Sequence, residues 1–175
     1  NQDADKDIFD REMLDTVYTG KPVSPAKTNT DWQREHAFPA SLMTKQMTGD
    51  AVKTLGRATD FHNLFAAYQS GNSSRGNKNY GNANLSDSSF KDYDFANGGY
   101  RYDSKNFEPA DNDKGRLSRA IFYMATMYSE DAYNGSTLLY PGLKVQEEYV
   151  DYDPNTYSAF ALGNLSHLLS WSEHA

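Results

Sequence analysis

The chain has 175 residues, 38% of them hydrophobic, and this length favours a single domain with a hydrophobic core of useful size. It contains no cysteine, which excludes disulfide bonds and thiolate metal sites. The formal net charge of -7 argues against a protein that coats nucleic acid through bulk positive charge. An enzyme that meets phosphate at a local site is not excluded by that charge.

The N-terminal residues "NQDADKDIFD" have neither a basic region nor an apolar region of the kind found in signal peptides. We therefore expect either a cytosolic protein or a mature chain whose leader has been removed. A run of about 18 apolar residues, which a membrane-spanning helix needs, does not occur in the sequence.

Hydrophobic periodicity predicts three helices, over residues 5–18, 113–129 and 158–174. Asp111 and Asp113 stand at the start of the second one as candidate caps. The residues of the three apolar stripes are Phe9, Met13 and Val17; Leu117, Ala120, Ile121, Met124, Ala125 and Tyr128; and Ala161, Leu165, Leu168 and Leu169. Each stripe favours packing in the core over a functional role.

Strand signals are fewer than helix signals. "TDFHNLFAAY" at 59–68 is a short apolar run, and "WQREHAF" at 32–38 is a charged segment that suits the lip of a cleft. Between residues 70 and 106 Asn, Gly, Ser and Asp dominate, with scattered aromatic residues. Composition alone leaves two interpretations of that stretch open, a flexible linker or a functional loop.

The four histidines differ in their surroundings. For His62, His167 and His174 a structural or solvated role is the default interpretation. His36 directly follows an acidic residue, Glu35, within the segment "DWQREHAFP". The pair is a candidate for half of a catalytic site.

Phosphodiester hydrolysis requires a base for water and a counter-charge for the phosphate. Histidine suits the first task because its ordinary pKa lies near neutrality. A hard divalent cation suits the second, and such a cation prefers oxygen ligands. Glu35 supplies a carboxylate and Asn72 an amide oxygen. Adjacent strand residues point to opposite sides, so one strand end can carry both the base and a metal ligand.

Four blocks of sequence together resemble the bacterial endonuclease I family, secreted or periplasmic nucleases of the ββα-metal (His-Me finger) type. These blocks are "WQREHAFP" at 32–39, "DFHNL" at 60–64, "NSSRGNKNYG" at 72–81 and "FEPADNDKGRLSRAIFYM" at 107–124. The helix "LGNLSHLLSWSEH" near the end is similar to a family helix with a Leu-Leu-x-Trp pattern. The Glu-His dipeptide alone would carry little weight.

The resemblance implies an α+β fold in which a ββα-metal unit is embedded in a mostly helical domain. Residues 33–38 and 61–66 would form its strands and residues 70–79 its helix, and residues 82–106 are expected to be irregular. Residues 1–175 would form a single nuclease domain, and the protein is expected to be a monomer.

The resemblance also assigns roles to residues. His36 falls on the general base, and Glu35 and Asn72 fall on the two protein ligands of Mg²⁺, with Mn²⁺ or Ca²⁺ as alternatives. Six residues are candidates for contact with phosphate or for support of the site: Arg34, His62, Arg75, Asn77, Arg57 and Arg119. The last two are candidates for an arginine that holds the cleaved phosphate.

The implied activity is metal-dependent, largely sequence-nonspecific endonuclease cleavage of DNA, with RNA as a further substrate and 5′-phosphate ends as products. The partner is therefore nucleic acid, and the location is secreted or periplasmic. One alternative is a glycoside hydrolase, in which the thirteen tyrosines and acidic residues such as Glu35 and Glu108 would form a sugar cleft with paired carboxylates. The other is a carbohydrate-binding surface module, with the tyrosines as stacking platforms.

Three departures from the family pattern accompany the resemblance. Phe38 and Ala66 stand where the family often has tryptophan and proline. The sequence ends at "SWSEHA", where the family continues into an Arg- and Asn-rich segment. We therefore expect that a C-terminal segment is missing, and a separate C-terminal fragment is a candidate partner.

Overall fold

The computed structural model describes residues 13–27, 31–43, 56–151 and 160–173. Within these ranges it is an α+β protein. The described helices are α1 (Gln69–Arg75), α2 (Asp111–Met127) and α3 (Leu165–Ser172). The described strands are β1 (Trp32–His36), β2 (Leu64–Tyr68), β3 (Asn79–Tyr80), β4 (Lys91–Phe95), β5 (Gly98–Tyr102), β6 (Asn106–Pro109), β7 (Ala132–Asn134), β8 (Thr137–Tyr140), β9 (Lys144–Val145) and β10 (Ala161–Leu162). In this part of the chain, no helix has the length and apolar character needed to cross a membrane.

Strands β1 and β2 pair antiparallel, and α1 follows β2 without a loop. The register places His36 opposite Leu64. The second strand begins three residues later than we predicted, because Phe61–Asn63 form a short 3-10 helix that the Asp60 carboxylate caps through the backbone N–H of His62. The helix also ends before residue 79, at Gly76, whose φ of +53° leaves the helical region.

The prediction that residues 82–106 are irregular is wrong. Strands β4 and β5 form a hairpin in a four-stranded sheet of order β3-β6-β5-β4, in which β3 and β6 are parallel and the other pairs antiparallel. A signal for this hairpin exists in the sequence as alternating aromatic residues, Tyr93 and Phe95 before the turn and Tyr100 and Tyr102 after it. The Asn- and Gly-rich composition around these residues hid that alternation.

Glycines let the tip of this hairpin approach the segment before β1. A Cβ atom on Gly98 would lie 2.8 Å from the carbonyl oxygen of Tyr18, which is closer than a side chain tolerates. The backbone N–H of Gly99 donates to the same Tyr18 oxygen at 2.6 Å. The four-stranded sheet is thereby fixed to the part of the chain that leads into the β1–β2 pair.

The second predicted helix is confirmed as α2. Its buried face carries Leu117, Ile121 and Met124, as the periodicity indicates. The two candidate caps are corrected, because the N-cap is Ala110 and both aspartates lie in the first turn. Asp113 accepts hydrogen bonds from the backbone N–H of Tyr18 at 2.6 Å and from Arg116.

The first predicted helix is wrong over residues 13–18, and residues 5–12 lie outside the described part of the chain. Leu14 pairs with Val23 in an antiparallel bridge, and Val17 pairs with Ala67 in a parallel one. Tyr18 has a φ of +74°, which no α-helix contains. The apolar spacing of this segment is therefore satisfied by cross-strand contacts.

The third predicted helix begins at Leu165, later than expected. Ala161 and Leu162 instead form β10, which pairs in parallel with β9. Asn164 precedes the helix in the left-handed conformation, with a φ of +64°. Leu168 is buried on the core side, whereas Leu169 is half exposed. The prediction of one apolar face is therefore correct for the first of these leucines only.

The main core lies between the four-stranded sheet, α2, α3 and the end of β1. Its fully buried members include Phe38, Phe107, Ile121 and Leu168. The expectation of a mostly helical domain is corrected for the described residues, where ten short strands accompany three α-helices. Short strands of two to five residues carry too few alternations to be recognised by periodicity.

Candidate active site

Glu35 is a buried carboxylate at the second-last position of β1, only 2% exposed. The hydroxyl of Tyr18 donates to its Oε1 at 2.6 Å, and the hydroxyl of Tyr80 lies 3.4 Å from the same atom. The guanidinium of Arg75 also lies 3.2 Å from Oε1. These three contacts share one oxygen, so none of them occupies Oε2.

Burial raises the pKa of Glu35 above its ordinary value, because the charged form loses its hydration. The Arg75 charge and the two tyrosine hydroxyls oppose that change by favouring the carboxylate. Burial, with the Glu35 charge beside it, also raises the pKa of the Tyr18 hydroxyl, which therefore remains a donor near neutral pH. The site is a carboxyl group held in a polar shell inside an apolar core.

Arg75 fixes the end of β1 against α1. Its side chain is 1% exposed, and its guanidinium donates to the carbonyl oxygens of His36 at 3.1 Å and Ala37 at 2.7 Å. The same guanidinium lies over the Tyr80 ring, 4.6 Å from its centroid. A single side chain on α1 thus holds the charge of Glu35 and the backbone of His36 in one arrangement.

His36 is the last residue of β1 and is 7% exposed. The chain bends directly after it, and Asn63 fixes that bend. The Asn63 amide accepts from the backbone N–H of Phe38 at 2.6 Å and donates to the Phe38 carbonyl at 3.0 Å, and its own carbonyl accepts from the N–H of Ala37 at 3.0 Å. Asn63 is fully buried, so it is a positioning residue for the strand end.

Asn72 lies on the face of β1 that carries Glu35. Its Nδ2 donates to Gln33 Oε1 at 3.1 Å, and Gln33 precedes Glu35 by two residues, so both point to one side of the strand. The Oδ1 atom of Asn72 takes no part in that bond. The structure therefore brings the amide of Asn72 and the carboxylate of Glu35 to the same side of the β1–β2 pair.

The family model described as Endonuclease I matches residues 3–172. The chain belongs to the endonuclease I family. It is 30% identical over 183 aligned positions to a protein named extracellular ribonuclease from Bacillus amyloliquefaciens, covering 98% of this chain and 52% of that protein. It is 34% identical to the extracellular ribonuclease of Bacillus subtilis (strain 168), covering 82% of this chain and 41% of that protein. The chain thus spans about half the length of these relatives.

The remaining candidate residues of this endonuclease I family member lie in different surroundings. Arg34 is exposed on the opposite face of β1 from Glu35. Asn77 follows α1 and accepts from the hydroxyl of Ser41 at 2.8 Å. Arg119 is on α2, where its guanidinium lies 3.4 Å from the carbonyl of Ser172.

Arg57 and His62 make contacts that favour structural roles. Arg57 is 9% exposed and donates to the carbonyl oxygens of Met43 and Pro141. His62 is exposed, its Nδ1 lies 3.0 Å from an Asp60 oxygen, and its ring stacks on Tyr123 with centroids 4.1 Å apart.

Sequence reasoning missed the residues that surround Glu35. Tyr18 is the last residue of the first predicted helix, outside its apolar stripe, and Tyr80 lies in the Asn-rich stretch without an assigned role. Asn63 carried one signal, because an asparagine inside the apolar run "FHNLF" has to find partners when it is buried.

Proposed function

We propose that this protein is a metal-dependent endonuclease that hydrolyses phosphodiester bonds in nucleic acid. The observation that carries the proposal is the end of β1, where a buried carboxylate and a histidine are adjacent and are fixed from α1 by Arg75. The names of the two relatives favour RNA as a substrate, and DNA is the second substrate that the site's chemistry allows. The same names support secretion.

Glu35 and Asn72 are the residues that would hold the divalent cation. Their free oxygens, Oε2 and Oδ1, are hard donors, which fits Mg²⁺, with Mn²⁺ and Ca²⁺ as alternatives. Groups of three or more His, Cys, Asp or Glu side chains that could hold a metal do not occur within the described residues. The proposed site contains one carboxylate and one amide, so it is not a group of this kind. The cation would supply positive charge to neutralise the phosphate in the transition state.

His36 would act as the general base. It accepts a proton from a water molecule whose oxygen attacks the phosphorus, and the bond from phosphorus to the 3′ oxygen breaks. The leaving oxygen takes a proton from solvent, which gives a 3′-hydroxyl and a 5′-phosphate. Arg75 keeps the His36 backbone in place, and Asn63 holds the bend beyond it. Residues 1–175 would form a single, monomeric nuclease domain.

The test combines hydrolysis with direct measurement of metal binding. Labelled RNA and DNA are incubated with protein and Mg²⁺, with and without a chelator, beside a neutral oligosaccharide as a control for the glycosidase alternative. We expect cleavage of nucleic acid, 5′-phosphate ends and complete loss of cleavage with chelator. Release of sugar without metal would contradict the proposal.

The ligand assignment has its own test in calorimetric titration of Mg²⁺. Asn72→Ala is expected to weaken Mg²⁺ binding and cleavage together, because one of two protein oxygens is removed. Asn82→Ala, at an exposed asparagine next to Gly81, is the matched control and should bind as the wild type does. Unchanged Mg²⁺ affinity in Asn72→Ala would show that the amide is not a ligand.

A further inference from the structure

We propose that an aromatic surface on the β4–β5 hairpin, formed by Tyr93, Phe95 and Tyr102, binds unpaired bases of a single-stranded polynucleotide. This inference rests on the proposed nuclease function and adds a substrate subsite to it. We call the three side chains the aromatic platform. Tyr93 and Phe95 are 39% and 38% exposed, so more than a third of each side chain is accessible to a ligand.

The platform is built in layers from the core outwards. Phe107 is fully buried, and the Tyr100 ring lies almost parallel to it, with centroids 5.2 Å apart and planes at 22°. Tyr93 covers Tyr100 at 5.0 Å, and Tyr102 lies nearly parallel to Tyr93 at 6.1 Å and 16°. The outer rings are therefore held in fixed orientations by the rings beneath them, which reduces the entropy cost of stacking a base on their exposed parts.

The alternation of β4 separates its acidic residues from its aromatic rings. Lys91, Tyr93 and Phe95 share one face of the strand, and Asp92 and Asp94 occupy the other. On the ring face, the Nζ of Lys78 also lies over Tyr102, 5.0 Å from its centroid. Cations beside exposed aromatic rings suit a polyanion with stacking bases, in a protein whose net charge is otherwise negative.

The edge position of β4 does not favour a protein strand as the occupant. All five residues of β4 are exposed, and three of them are charged. Charged side chains on an edge strand oppose pairing with another strand. A single-stranded polynucleotide needs the ring faces and the lysines, and it makes no use of the strand edge.

Helix α1 connects the platform to the candidate active site. The hydroxyls of Ser74 and Tyr100 lie 3.4 Å apart, and Lys78 donates to the Ser74 carbonyl at 2.9 Å. The same helix carries Asn72, and its seven residues span about 10 Å. That length corresponds to about three nucleotides, at roughly 3.4 Å per nucleotide along one strand. One polynucleotide can therefore reach both places, and paired bases in a duplex could not stack on the platform.

The test measures binding of a fluorescent mixed-sequence single-stranded oligonucleotide, RNA and DNA in parallel, by anisotropy in the presence of chelator. Tyr93→Ala is expected to raise Kd by about 5- to 150-fold, the usual worth of one base–aromatic stack. Tyr93→Phe should retain binding, because the ring remains. Tyr133→Ala, at an exposed tyrosine on β7, is the matched control and should leave Kd unchanged. Circular dichroism melting checks that each variant is folded.

Kinetics provide a second readout with Mg²⁺. For long single-stranded substrates, Tyr93→Ala should raise KM with little change in kcat, and for bis(p-nitrophenyl) phosphate, which has no bases, it should change neither. The platform proposal is overturned if Tyr93→Ala and wild type have equal Kd values, or if Tyr133→Ala loses as much affinity as Tyr93→Ala. It is also overturned if a neutral oligosaccharide binds more tightly than the oligonucleotide. If wild type binds the oligonucleotide but cleaves nothing, the proposed function fails and the platform stands as a binding site.

Discussion

At the scale of single residues, the site depends on how one buried ion pair is arranged. Glu35 and Arg75 are both almost completely buried, with side chains 3% and 1% exposed, and two tyrosine hydroxyls complete the shell of the carboxylate. Removing one member of such a pair leaves the other charge buried without compensation, which is more costly than losing both. The pair therefore couples the stability of the fold to the position of Glu35, the proposed metal ligand.

A double-mutant cycle tests this arrangement. Glu35→Ala and Arg75→Ala should each lower the free energy of unfolding by about 3–5 kcal/mol, because each leaves a buried partner. The double variant should lose less than the sum of the two, by about 0.5–3 kcal/mol. Urea unfolding followed by fluorescence measures all four free energies. Simple additivity would mean that the two charges do not interact in the folded protein.

The three central residues of the candidate site could be named from the sequence, but their supporting partners could not. Glu35, His36 and Asn72 occupy short motifs whose joint order indicates the family. Tyr18 and Tyr80 reach Glu35 across 17 and 45 positions of the chain. Contacts at such separations leave no local pattern of spacing, so only the folded structure reveals them.

At the scale of elements, the sequence predicted those parts whose periodicity is long and undisturbed. Helix α2 has 17 residues, and its buried positions extend from Asp113 to Met124, about three turns. The segment at 13–18 has an apolar spacing that suits a helix, yet long-range bridges with Val23 and Ala67 determine its backbone. The β4–β5 hairpin was missed because its polar and glycine residues are typical of loops.

The turn between β5 and β6 contains a carboxylate that links pH to stability. Asp103 accepts from the backbone N–H groups of Asn84 at 2.6 Å, Lys105 at 2.7 Å and Asn106 at 2.7 Å. Burial alone would raise its pKa, but these hydrogen bonds outweigh burial and lower the pKa below the ordinary value. The folded state therefore favours the ionised form.

Asp103→Asn should lower the free energy of unfolding at pH 7 by about 1.5–3 kcal/mol, since an NH₂ group would face the backbone donors. A lowered folded-state pKa stabilises the protein above the unfolded value of about 3.9, and this stabilisation is lost as pH falls through the folded value. The difference in the free energy of unfolding between wild type and variant should therefore decrease as the pH falls. Urea titrations at a series of pH values measure this difference, and a difference that does not change with pH would rule out the linkage.

At the scale of the whole molecule, the fold is a scaffold that joins two sheets through one short helix. Helix α1 meets the β1–β2 pair through Arg75 and Asn72, and it meets the four-stranded sheet through Ser74. Lys78, three residues beyond the end of the helix, also contacts that sheet through the Tyr102 ring. The family could be predicted from the sequence because four short blocks between residues 32 and 124 occur together in the family's order, and the family model matches residues 3–172. The arrangement of the two sheets could not be predicted from the sequence, because it depends on packing between segments that are distant in the chain.

The most direct test of the proposed chemistry is the cleavage rate of His36→Ala with Mg²⁺ at saturating single-stranded RNA and DNA. Circular dichroism establishes that the variant is folded, and calorimetry that it still binds the cation, since the proposed ligands are Glu35 and Asn72. The loss of a positioned general base predicts a rate about 10²–10⁴ times lower than that of the wild type. His62→Ala, at an exposed histidine hydrogen-bonded to Asp60, should keep a rate close to the wild-type value. A folded, metal-binding His36→Ala protein that cleaves at the wild-type rate would contradict the account.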